Sequence, residues 1–102
     1  MAIETLAATG SGRKVLVTPG MVELGPIQAQ ANHDLAAHAS AVVDDIIIVG
    51  RTNRSALTRG ADSGRAAGTV VDTREDAVGW VRENLGPGDA VLYENDLPDH
   101  YP

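Results

Sequence analysis

Four consecutive aliphatic residues, Ile46-Ile47-Ile48-Val49, bounded by Asp44-Asp45 and Gly50, constrain this chain most. A strand with one wet face alternates apolar and polar residues, whereas an unbroken run of this length fits a strand buried on both faces. Covering both faces of a strand requires helices on both sides, which favours parallel strands joined by helical crossovers. Val15-Leu16-Val17 repeats the pattern and is stopped by Thr18-Pro19-Gly20. Ala90-Val91-Leu92-Tyr93 repeats it again after the tight connection Gly86-Pro87-Gly88-Asp89, and Thr69-Val70-Val71 is a shorter instance.

Helical segments alternate with these strands. Gly25-Pro26 starts a helix with proline at its first position, running from Pro26 to about Val42. Its apolar stripe, Ile27, Ala31, Leu35, His38, Ala39 and Val42, is expected to face the sheet. Asp44-Asp45 breaks that helix. Ser55 to about Arg65 reads as a short helix interrupted by Gly60 and Gly64. Thr73, with Asp76 three residues on, resembles a capping box, and Asp72, Glu75 and Asp76 suit a helix N-terminus. Ala77, Val78, Trp80, Val81 and Leu85 then give a broad apolar face that places Trp80 in the core. A truncated helix is expected over Ala2–Ala8. The order helix, strand, helix, strand, helix, strand, helix, strand, with right-handed crossovers, predicts a three-layer Rossmann-like α/β domain. Its sheet is mostly parallel, with at least four strands and helices on both faces.

The 102 residues make one domain, 1–102, large enough to bury a core without staples. Zero cysteines exclude a disulfide framework and any thiolate metal site. No apolar stretch is long enough to span a bilayer and no signal-peptide pattern is present, so the reading is a cytoplasmic protein without membrane insertion. A net charge of −6, with one tryptophan and two tyrosines, argues against a nucleic-acid partner, which needs a basic face and stacking aromatics.

In an open α/β sheet, ligands sit outside the carboxyl ends of the strands, so the segments after each strand are the candidate chemistry. Thr18 to Gly25 is the first. Arg51-Thr52-Asn53-Arg54 is the second; Arg51, Arg54, Arg59 and Arg65 are half of the chain's eight basic residues. Arginines at a strand end can grip a carboxylate or phosphate through paired hydrogen bonds, and Arg51 is nearest the strand; each can equally be a solvated helix residue. Glu94-Asn95-Asp96-Leu97-Pro98-Asp99-His100 is the third, read as an acidic tail in preference to a calcium or magnesium site. His33 and His38 lie five apart, on different helix faces, which does not suit a two-histidine metal pair. Gly10-Ser11-Gly12 precedes a strand and is rejected as a phosphate loop.

At the first of these loops a resemblance becomes specific. Lys14-Val-Leu-Val-Thr-Pro-Gly-Met-Val-Glu-Leu-Gly25 resembles the first strand and following loop of the C-terminal domain of the Mur ligases. The MurF-like type, which adds D-alanyl-D-alanine to UDP-N-acetylmuramoyl-tripeptide, is the most similar. The likeness continues through the helix bearing Gln28 and Asn32, Ile46 to Gly50, and Leu85-Gly86-Pro87-Gly88-Asp89-Ala90-Val91-Leu92, and covers residues 2 to 97 in order. It implies an ADP-forming carbon–nitrogen ligase of peptidoglycan precursor synthesis. In such enzymes a UDP-muramoyl-peptide carboxylate is phosphorylated and the acyl phosphate is attacked by the amine of an incoming amino acid or dipeptide. ATP and magnesium are then bound mainly by a central domain, consistent with the absence here of G-x-x-x-x-G-K-[ST]. The chain reads as a fragment of a longer ligase and is not expected to turn over substrate alone. Its part is positioning and exclusion of water, with no catalytic side chain and no metal ligand of its own.

The substrate-facing residues implied are Thr18, Gly20, Met21, Glu23, Asn32, Arg51, Asn53, Arg54, Glu94, Asn95 and Asp96. Arg51 and Arg54 sit where related ligases read the carboxylate of the incoming amino acid. Glu94-Asn95-Asp96-Leu97 replaces the family's Lys-Gly-Ser-Arg, and an acidic loop there suits an amine nucleophile or a cationic side chain. The competing reading is a free-standing Rossmann-like module that binds a small anion through Arg51, Arg54 and the Thr18 to Gly25 loop, without catalysis.

Overall fold

The structure, a computed structural model, describes residues 12–94. The order is β1 (Lys14–Thr18), a 3-10 turn (Gly25–Ile27), α1 (Gln28–Ser40), β2 (Asp45–Val49), α2 (Arg54–Asp62), β3 (Ala67–Val71), α3 (Arg74–Asn84) and β4 (Ala90–Tyr93). The four strands form one sheet in the order β3-β2-β1-β4, every pairing parallel. This is the Rossmann-like α/β arrangement expected. The helix expected over Ala2–Ala8, and Asn95, Asp96 and the rest of the acidic tail, lie outside the described residues.

The two most apolar strands occupy the centre, where both faces are covered. Leu16, Ile46 and Ile48 point into one layer with Leu35, Ala36, Ala39 and Val43 below α1 and with Leu57 and Ala61 of α2. Val15, Val17 and Ile47 point the other way, onto Ala77 of α3 and the half-buried Trp80, Val81 and Leu85. Each fully buried aliphatic side chain contributes about 1.5–3 kcal/mol relative to exposure, so this double-sided strand pair is the main stabilising element. From β3 the chain crosses back over β2 and β1 to lay β4 beside β1. The order therefore reverses at β1, and the loops that follow β1 and β4 leave the sheet at a topological switch point.

Three local expectations are corrected. The face that α1 buries is Asn32, Leu35, Ala36, Ala39 and Ser40, while Ile27 is 63% exposed and His38 is exposed. Two buried polar side chains with complete hydrogen bonding outweigh one isoleucine at the helix entry. Ser40 Oγ donates to Ala61 O at 2.6 Å and accepts from Ala66 N at 3.0 Å, tying α1 to the end of α2. The helix from Ser55 begins at Arg54 and runs through Gly60 without interruption. A Cβ on Gly60 would come within 2.3 Å of His33 O and 2.7 Å of Ala36 Cβ, so this glycine is where α2 touches the backbone of α1. Trp80 sits half-buried at the edge of its layer, its ring 5.5 Å from the Arg13 guanidinium. Thr73 is the N-cap of α3 as expected, its Oγ1 accepting from Asp76 N at 3.1 Å.

The amino edge of the sheet is held by ions. Arg13 Nε donates to the buried Asp45 carboxylate at 2.8 Å. Hydrogen bonding and charge from Asp45 push the Arg13 pKa up. Asp44 accepts from Lys14 N at 2.8 Å and from Arg65 at 2.6 Å. Asp89 closes the turn before β4, accepting from Arg13 N at 2.8 Å and Gly86 N at 2.9 Å. Those two backbone donors stabilise the carboxylate and hold its pKa below the ordinary aspartate value.

Candidate functional site

At the opposite, carboxyl edge, β1 ends in a loop whose backbone cannot be satisfied by a ladder and is satisfied by amide side chains instead. Thr18, fully buried, accepts from Gly20 N at 2.9 Å through Oγ1 and turns the chain. Gly20 takes φ +84°, a region that suits glycine, and a Cβ there would lie 2.5 Å from Asn32 Oδ1 and 2.8 Å from Asn53 Nδ2. Asn32 Oδ1 accepts from Met21 N at 2.7 Å, and its Nδ2 donates to Met21 O and Gln28 O, both at 2.9 Å. Asn53, although it is the N-cap residue of α2, makes no cap bond with its side chain. Its Nδ2 reaches across to Pro19 O at 3.1 Å and Met21 O at 3.0 Å, and its Oδ1 accepts from Gln28 Nε2 at 2.9 Å. Gln28 Oε1 accepts from Leu24 N at 3.4 Å. One connected set of neutral groups from β1, α1 and α2 thus fixes the loop from Pro19 to Leu24.

Fixing the backbone leaves the loop's tip outward. Met21 is half-buried against the α1 and α2 layer, Val22 is 45% exposed, and Glu23 is exposed with φ +63°, a conformation uncommon for a residue with a Cβ. Of the residues expected to face a ligand, the structure brings Thr18, Gly20, Met21, Asn32 and Asn53 into a single cluster, with Thr18, Asn32 and Asn53 buried as its frame. Glu94 follows β4 immediately and its N–H donates to Val17 O at 2.9 Å, so it stands beside the start of the β1 loop.

The two arginines after β2 behave differently. Arg54 Nε donates to Gly50 O at 3.1 Å, and one terminal nitrogen reaches Asp72 Oδ1 at 3.1 Å and Val71 O at 3.5 Å. It braces the ends of β2 and β3 together. Arg51 has a side chain 82% exposed and only a long contact, 4.0 Å, to Asp72, which leaves its guanidinium available to an anion from solution. Between the N-termini of α1 and α2 lies an open groove of about 460 Å³ whose lining includes Gln28, Thr52, Asn53, Ser55 and Arg59. Arg59 points there from the second turn of α2, hydrogen-bonded to Ser55 Oγ at 2.8 Å. The sequence marks neither Gln28 nor Ser55 as a site residue, and Arg59 only as one of four arginines that could grip an anion. The i, i+4 spacings Gln28/Asn32 and Ser55/Arg59 were the available signal, since each pair shares one helix face. No group of three or more histidine, aspartate or glutamate side chains that could hold a metal occurs among the described residues. No helix among them is long and apolar enough to cross a membrane.

Residues 1–93 match the family model described as Mur ligase, glutamate ligase domain. No curated protein and no solved structure matches the chain.

Proposed function

Since the chain belongs to the Mur ligase C-terminal (glutamate ligase) domain family, we propose that it is the substrate-positioning domain of an ATP-dependent amide ligase of peptidoglycan precursor synthesis. In this reading it holds an incoming amino acid or dipeptide so that its amine attacks the acyl phosphate of a UDP-muramoyl peptide. One observation carries the reading. The loop bearing Gly20-Met21-Val22-Glu23-Leu24-Gly25 is locked at the carboxyl edge by Asn32 and Asn53, on the same edge as Arg51. A rigid wall with one exposed guanidinium can fix a carboxylate while leaving the amine of the same molecule to project, and such orientation is the largest contribution a domain without reacting groups can make. Arg51 takes the carboxylate in this scheme, because Arg54 is already engaged with two carbonyls and Asp72. Glu94, beside the start of the β1 loop, would place negative charge near the attacking amine. The Gly20 to Gly25 loop favours MurF-like chemistry, while the acidic Glu94-Asn95-Asp96-Leu97 sequence in place of the family's cationic one argues for an amine other than D-alanyl-D-alanine.

ATP and magnesium supply the carboxylate activation, and we assign their binding to an ATPase domain outside these 102 residues. The test is ATP-dependent phosphate release with UDP-muramoyl peptides and a panel of amino acids and dipeptides, using this chain joined to such a domain. Release that depends on one amine, with Arg51→Ala raising the KM for that amine at least tenfold and leaving the KM for ATP unchanged, is the expected result. No amine-dependent release with any member of the panel would refute the ligase reading.

A further inference from the structure

The outer edge of β3 is built to pair with another strand. Ala67 N donates to Asp44 O at 3.0 Å, and Val71 O accepts from Gly50 N at 2.9 Å. In a parallel ladder alternate residues turn both backbone groups to the same neighbour, so Ala67, Thr69 and Val71 face β2. Gly68 and Val70 therefore direct both N–H and C=O outward, and both residues are exposed, Val70 at 39%. Soluble proteins blunt such edges with charge, proline or a bulge. The segment Ala67-Gly68-Thr69-Val70-Val71 has neither charge nor proline and keeps regular register with β2 along its whole length.

Gly68 points the same way. It is not in a positive-φ conformation, and a Cβ on it would meet only Ala61 Cβ at 3.5 Å and Ile48 Cδ1 at 4.0 Å, ordinary contacts. The protomer has room for a side chain there, whereas a strand glycine of this kind marks close approach by another backbone. From these observations we infer that two copies of this chain associate by antiparallel pairing of their β3 edges about a twofold axis at Thr69. Only this register sets Gly68 opposite Val70 of the other copy, twice over, so that all eight outward groups are hydrogen-bonded. Gly68 and Val70 share a sheet face, so the small residue lies under the larger one of the partner strand. Beyond the strand, exposed Asp72 falls opposite Ala66 and beside the exposed Arg65 of the other copy, placing opposite charges together at both ends. The inference is independent of the ligase reading.

Sedimentation equilibrium of the 102-residue chain tests it, with two variants. The chain should show a monomer–dimer equilibrium, and Val70→Lys should raise its dissociation constant tenfold or more with an unchanged circular dichroism spectrum. Thr69→Cys puts the only cysteine of the chain at the twofold axis. Opposed Cα atoms in a non-hydrogen-bonded antiparallel pair are about 4.5 Å apart, within disulfide reach. Mild oxidation should convert this variant to covalent dimer while Glu83→Cys, exposed on α3, stays monomeric. A chain monomeric up to millimolar concentration, a dimer that survives Val70→Lys, or a Thr69→Cys variant that crosslinks no faster than the control would each overturn the proposal.

Discussion

Gly20→Ala and Gly50→Ala form a matched pair that measures how stiff the β1 loop is. The two glycines have nearly the same positive φ, +84° and +81°. An alanine Cβ in the left-handed region costs about 1–2 kcal/mol at either site. Around Gly50 there is nothing within 4 Å of that Cβ, so the conformational term is the whole cost. At Gly20 the Cβ lands 2.5 Å from Asn32 Oδ1. Asn32 is fully buried and held through its other amide atom by Met21 O and Gln28 O, so it cannot swing aside without releasing Met21 N. An orphaned backbone donor costs about 1–3 kcal/mol. The expected losses are therefore about 2–5 kcal/mol for Gly20→Ala and about 1–2 kcal/mol for Gly50→Ala. Urea unfolding followed by circular dichroism gives both, and in a domain of this size each kcal/mol shifts Tm by roughly 4–8 °C. Adding Asn32→Ala opens the space, so the double variant should lose about 1–3 kcal/mol less than the sum of the singles. Equal losses at the two glycines, or strict additivity with Asn32→Ala, would refute the claim that the amide cluster locks the loop.

Two further outcomes follow from the packing and the ionic edge. Gly60→Ala, stabilising in an exposed helix, is destabilising here by about 1–3 kcal/mol because α2 must move off His33 O; thermal melting that shows a gain would contradict the close approach. Asp89→Asn lowers Tm at neutral pH, since the depressed carboxylate pKa contributes stability that is present above the ordinary aspartate value. That stability is lost as pH falls through the depressed value, so the gap between parent and variant should close below about pH 4; a gap that stays constant into acid would show that ionisation of Asp89 plays no part.

The layering was legible because unbroken aliphatic runs have one good solution. Ile46 to Val49 and Val15 to Val17 announce two-sided burial, and both strands lie at the centre of the sheet. Strand order was not legible, since pairing depends on how long crossovers lay their strands down, and no residue in β4 marks it as the neighbour of β1. The buried face of α1 was misjudged for a related reason. Periodicity counts apolar residues, and here Asn32 and Ser40 are buried because partners from other parts of the chain complete their hydrogen bonds. In the site, the loop motif could be found by its glycines and its position after a strand. The division of labour between Arg51 and Arg54 could not, because it depends on Gly50 O, Val71 O and Asp72 converging on one guanidinium.

The bonds that set the β1 loop join Thr18, Gln28, Asn32 and Asn53 to backbone, and none of these side chains titrates. The far edge of the same sheet depends on Arg13, Asp44, Asp45, Arg65 and Asp89. Acid or high salt therefore acts on the amino edge and, at the carboxyl edge, on the Arg54–Asp72 pair, while the neutral bonds that shape the β1 loop stay in place for as long as the chain stays folded.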